Sequence, residues 1–282
     1  MPKFYLLIPL ILLQCNTGSG NMRYKQKADT RQPILHENEN ELRLRFSPPV
    51  GFTELLSDTD SYSGFLQNLK LKPSGSKVFL YNGEEKLNQS VHASVVDMDI
   101  GASDLQQCAD AAMRMRAEFL FKEKKYEDIH FRFSNGFDCA YSEWRKGKRL
   151  KFSGENCSWI SSGAPSDSYE SFRKYLDLVF NYAGSFSLSK ELLPVGMSEM
   201  KIGDMFIHGG TPGHVVIVVN MAANAKGEKV FMLAQSFMPA QQIEILVNEN
   251  DESISPWYAL SESAELQTPQ FIFSNTELMR WN

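Results

Sequence analysis

The sequence predicts an α+β fold, a mainly antiparallel sheet with helices packed on one side. Three observations carry the prediction. Met205 to Val219 holds two apolar, strand-like runs around the glycine-rich turn His208-Gly209-Gly210-Thr211-Pro212-Gly213-His214, and a third run follows from Lys229 to Gln235. Asp104 to Lys124 and Ser168 to Tyr182 repeat apolar residues at helical spacing. Asp128 to Tyr141 and Lys148 to Ile160 read as two strands of one hairpin, turning at Arg145-Lys146-Gly147.

Taken in order, residues 1–15 read as a lipoprotein-type signal peptide. Lys3 precedes the apolar run Phe4 to Leu13, and Leu12-Leu13-Gln14-Cys15 resembles a bacterial lipoprotein signal with Cys15 as the lipidated residue. Acyl chains on Cys15 would hold the protein on a membrane at ~0.8 kcal/mol per buried methylene. Residues 16–41 are polar and read as a flexible tether. Residues 42–282 then form one α+β domain, with no internal repeat and no further linker.

Within that domain, Tyr62 to Leu69 predicts a short helix and Lys77 to Tyr81 a strand closed at Asn82-Gly83. Ala93 to Ile100 predicts a buried strand whose Asp97 and Asp99 share a solvated or hydrogen-bonded face. Ser103 with Gln106 fits a capping box opening the helix from Asp104 to Lys124. Cys108 falls on that helix's inward stripe, about a turn from its positive end, where a thiolate is favoured and where a plain core cysteine is equally at home. Ser168 to Tyr182 turns Phe172, Tyr175, Leu176, Val179 and Phe180 inward. Ser255-Pro256-Trp257-Tyr258 punctuates a less regular tail.

Composition narrows the function. The chain has 282 residues, 43% hydrophobic and 22% charged, as expected of a soluble globular fold. A net charge of −5 without a basic cluster argues against nucleic acid as a partner. Of the four cysteines, Cys108, Cys139 and Cys157 remain beside Cys15, and no Cys-x-x-Cys occurs. An oxidising envelope would allow one bridge, which the hairpin register does not assign to Cys139 and Cys157.

The chemistry converges on three residues. Cys108 lies near a helix start, His214 opens a strand, and Gln235 ends the next strand. Thiol catalysis needs a nucleophile, an imidazole that moves its proton, and a group that orients the ring. Gln106, Gln107 or the Cys108 amide would donate to an oxyanion, while His208 and Ser236 would line the same pocket. A zinc site would need His208, His214 and a carboxylate, but no second ligand motif accompanies them, so neither metal nor cofactor is expected. The competing reading is a non-catalytic envelope lipoprotein that binds glycan, peptide or protein through aromatics such as Trp144 and Trp257.

Gln107-Cys108 opening a helix, with Gly203-Asp204-Met205-Phe206 and Gly213-His214-Val215-Val216-Ile217-Val218, resembles the papain-like amidase and peptidase superfamily of the NlpC and CHAP type. That resemblance implies cleavage of peptide or amide bonds in peptidoglycan. It makes Cys108 the nucleophile, His214 the base and Gln235 the third residue, with a hairpin and a helix inserted into the core. A second resemblance covers roughly residues 42 to 275. Leu105-Gln106-Gln107-Cys108-Ala109-Asp110, Pro212-Gly213-His214, Ala234-Gln235-Ser236-Phe237-Met238-Pro239-Ala240-Gln241 and Ser255-Pro256-Trp257-Tyr258 are similar to a bacterial family known as domain of unknown function 4846. This resemblance implies an envelope protein and carries Cys108, His214 and Gln235 inside its signature strings, without implying an activity. The function expected from the three residues and the papain-like resemblance is a thiol hydrolase of peptidoglycan or a related peptide, held to the membrane by its lipid anchor.

Overall fold

The computed structural model describes residues 33–262 and 265–282; the expected signal peptide, Cys15 and residues 16–32 of the tether lie outside the described residues. The chain runs α1 (Leu42–Arg45), β1 (Phe52–Glu54), α2 (Tyr62–Gln67), β2 (His92–Val95) and α3 (Cys108–Lys122). It continues with β3 (His130–Arg132), β4 (Asp138–Ala140), α4 (Tyr141–Arg145), β5 (Lys148–Ser153), β6 (Asn156–Ser161), α5 (Tyr169–Tyr182) and α6 (Ser185–Glu191). Then come β7 (Leu193–Pro194), β8 (Met205–His208), β9 (His214–Asn224), β10 (Lys229–Gln235), β11 (Glu244–Leu246), β12 (Tyr258–Ala259), β13 (Leu266–Gln267), β14 (Ile272–Phe273) and β15 (Leu278–Arg280).

The main sheet has the order β2-β11-β10-β9-β8-β15-β7, with β1 also on β9 and β12 also on β10. Every pairing in it is antiparallel. The mixed α+β character and the large antiparallel sheet are as the sequence predicts. β9 is the axis because Val215 to Val219 is a continuous β-branched run, buried on both faces. The core around it takes in Met113 and Phe119 of α3 and Tyr175 and Val179 of α5.

Three expectations change. α3 starts at Cys108, not at Asp104. Asp104 Oδ1 accepts the Ala240 N–H at 2.6 Å, and the Ser236 hydroxyl lies 2.9 Å from the Gln106 carbonyl. These ties hold residues 104–107 against the end of β10, and Asp110 rather than Gln106 accepts from the N–H before the helix. Cys108 is therefore the first helical residue, not a turn inside. The single hairpin is two. Asn135-Gly136 turns the chain, with Gly136 at φ +88, and pairs β3 with β4; β5 and β6 form a separate hairpin. Cys139 faces Phe131 and Cys157 faces Phe152, and all three described cysteines are free. Residues 33–41, expected in the tether, pair with the body through Leu35 and Phe46 and through Glu41 and Lys70.

Candidate active site

The site forms where α3, β9 and β10 meet, and the glycine loop between β8 and β9 makes that meeting possible. A Cβ on Gly213 would stand 2.1 Å from Ser185 Oγ, and one on Gly209 would stand 2.3 Å from Ser189 Oγ. The loop thus lets α6 lie directly against the start of β9.

Cys108 is 7% exposed, at the N-terminus of α3. Its thiol sits beside the backbone N–H groups of Val215, Ala109 and its own residue, all of which favour the thiolate. Burial outweighs them, and the Asp110 carboxyl adds to it, so the thiol is pushed up to about 11. The helix end alone does not ionise this cysteine. Val215 is the next residue after His214, so the thiol stands at the point where the histidine strand begins. Among the described residues no hydrogen bond joins the thiol to the His214 ring.

His214 is 2% exposed, and its Nε2 lies 2.7 Å from Gln235 Oε1. Phe237, Phe271 and Phe273 surround the ring, with centroids 5.0, 5.2 and 5.9 Å away. Burial lowers the imidazole to about 4; the Gln235 bond opposes that shift and the nearby Lys86 charge adds to it. The ring is therefore neutral at neutral pH.

The polar group behind Gln235 decides which ring nitrogen is free. Gln235 Nε2 donates to Glu244 Oε1 at 2.9 Å and to Gln270 Oε1 at 2.8 Å. Lys86 Nζ donates to the same two oxygens, at 2.5 and 2.9 Å. With two acceptors on its nitrogen side, the amide must present its oxygen to the imidazole. His214 Nε2 then carries the hydrogen, and Nδ1 keeps its lone pair as the basic nitrogen.

The remaining expected residues fall in different places. Gln106 is buried, its Oε1 accepting from Arg114 Nη1 at 2.8 Å, and Gln107 donates through Nε2 to Asp104 at 3.2 Å. Ser236 bridges backbone carbonyls of Gln106 and Gln241. His208 stands opposite His214 in register, but its Nδ1 is held 2.6 Å from Glu277 and its side chain is 45% exposed. Trp257 is fully buried in the core with its indole N–H on the Ser47 carbonyl, and Trp144 is likewise buried. Neither lines an open groove, which corrects their expected place on a binding surface. Among the described residues no cluster of three metal-ligating side chains occurs. Lys86, Glu244 and Gln270 were not anticipated. The available signal was Glu244, a carboxylate inside the apolar run Ile243-Glu244-Ile245-Leu246, whose buried register demands a partner.

A buried cysteine at a helix start, an imidazole opening the adjacent strand and an amide fixing that ring thus lie at one end of an antiparallel sheet. The family described as domain of unknown function (4846) matches residues 42–280, and the chain belongs to that family. No curated protein and no solved structure matches the chain.

Proposed function

We propose that this protein is a cell-envelope thiol hydrolase that cleaves a peptide or amide bond in peptidoglycan or a related peptide. The observation that carries the reading is the 2.7 Å bond from His214 Nε2 to Gln235 Oε1, with the Cys108 thiol beside the following residue's N–H. In this reading His214 Nδ1 takes the thiol proton as Cys108 Sγ attacks the substrate carbonyl carbon. The imidazolium then protonates the leaving amine, and water releases the acyl group from sulfur. The N–H groups at the start of α3 face the developing oxyanion. Because both resting groups are neutral, the proton moves during attack rather than before it. A helix-borne cysteine against a strand histidine also supports the papain-like relationship, with β3 to α5 as the insertion between them. The lipid anchor at Cys15 belongs to the same proposal and places the site at a membrane surface facing the envelope.

The test is turnover of peptidoglycan fragments by the purified protein. Cys108→Ala and His214→Ala are each expected to abolish hydrolysis with the thermal unfolding transition retained; wild-type rates in both would end the proposal. One observation favours the binding-protein reading instead: the Cys108 thiol is buried and un-ionised. On that reading ligand binding survives Cys108→Ser.

A further inference from the structure

The thiol opens onto a pocket of about 250 Å³ lined by Gln107, Cys108, Asp110, Ser185, the 210–213 loop and Met238, among others. The pocket's charged lining residues are Asp104 and Asp110, with no lysine, arginine or histidine among them. The two carboxylates differ in their state. Asp104 is engaged, its Oδ1 accepting from Ala240 N–H at 2.6 Å and Gln107 Nε2 at 3.2 Å. Asp110 is 6% exposed, and only its Oδ2 is used, by the Gln107 N–H at 3.0 Å. Its Oδ1 is buried without a hydrogen-bond partner among the described residues.

A buried carboxyl oxygen left unpaired costs the fold its desolvation, and more if charged. Such a group calls for a partner, and beside a pocket a bound ligand is one that can supply it. Burial raises the Asp110 carboxyl well above its ordinary value, with only the Gln107 N–H opposing; a cation donating to Oδ1 would offset that burial and favour the charged form. The pocket therefore selects a cation that donates hydrogen bonds.

We propose that Asp110 is a specificity residue that receives a free primary amino group of the substrate, beside the bond presented to Cys108. The proposal rests on the thiol-hydrolase reading and narrows its substrates to peptides or amides with an unblocked amine within one residue of the scissile carbonyl. Acetylating that amine removes the charge and adds bulk, so blocked peptides are excluded.

Charge-selective modification of Cys108 tests this without requiring turnover. In a Cys157→Ser background, Cys108 is treated with aminoethyl and with sulfonatoethyl methanethiosulfonate, and the adduct is located by peptide mass. Relative to mercaptoethanol, the cationic reagent is expected to be favoured by about tenfold or more, with the preference lost in Asp110→Asn. A ratio equal to that of mercaptoethanol, or one that survives Asp110→Asn, overturns the proposal. Asparagine keeps an acceptor for the Gln107 N–H, so the helix start is preserved. Should Asp110→Asn nevertheless fail to fold, the unaltered protein decides. Alaninamide is expected to protect Cys108 from methyl methanethiosulfonate while N-acetylalaninamide does not; equal protection by both, or by neither, overturns it. Failure of the hydrolase reading would appear separately, as absent turnover of peptidoglycan fragments with these rates unchanged.

Discussion

At Cys108 two opposing influences meet, and their sizes decide the outcome. Three backbone N–H groups and a helix end favour the thiolate, yet desolvation prevails and leaves a neutral thiol. Alkylation of Cys108 by iodoacetamide should accordingly rise about tenfold per pH unit from 7 to 10, since only the thiolate reacts. A rate that levels off near neutral pH would show that an ion pair forms at rest. The same burial makes His214 a reporter of stability. Its ordinary value of 6.5 falls to about 4 in the fold, so between those values the unfolded chain binds a proton that the folded one refuses. The contribution is complete above pH 6.5 and is lost as pH falls towards 4, about 3 kcal/mol in all. Urea unfolding at pH 7 and pH 4.5 measures it; His214→Gln should flatten that part of the pH dependence. These balances were not legible in the sequence, because position on a helix is a local property and desolvation is not.

At the scale of elements, the glycine loop fixes how closely α6 approaches β8 and β9. Gly209→Ala should destabilise the fold by ~1–3 kcal/mol through its clash with Ser189. Ser189→Gly should recover most of that in the double variant, less the ~1 kcal/mol a helical glycine costs. Thermal unfolding of both variants checks the coupling; an unchanged midpoint in Gly209→Ala would contradict the packing described. β8, β9 and β10 were readable as apolar runs that pair with strands close in sequence, and α5 as a long stretch of helical period. The start of α3 was not, since Asp104 is drawn away from a helical cap by Ala240, far along the chain. The β3 to β6 region was misjoined for a local reason. Asn135-Gly136 is a turn signal, and it lay inside what read as one strand.

Across the whole molecule, the group that orients His214 gathers Lys86, Gln235, Glu244 and Gln270 from four separate stretches. Lys86 and Glu244 form a buried ion pair, so removing one partner strands the other. Lys86→Met is expected to cost ~3–5 kcal/mol in urea unfolding, and Lys86→Met with Glu244→Gln distinctly less. Equal losses would mean the two side chains act independently. The sheet's two ends are also closed. At one end, residues 70–72 lie along β2 through the bonds from Lys72 N–H to the Val95 carbonyl and from Asp97 N–H to the Lys70 carbonyl. At the other, β7 is two residues long, and its Pro194 has no N–H to give. A strand from a neighbouring copy would find no ladder to join at either end. However densely the copies are crowded, the main sheet offers them no long bare edge at these two ends, and stacking one such sheet onto the next has little to build on there.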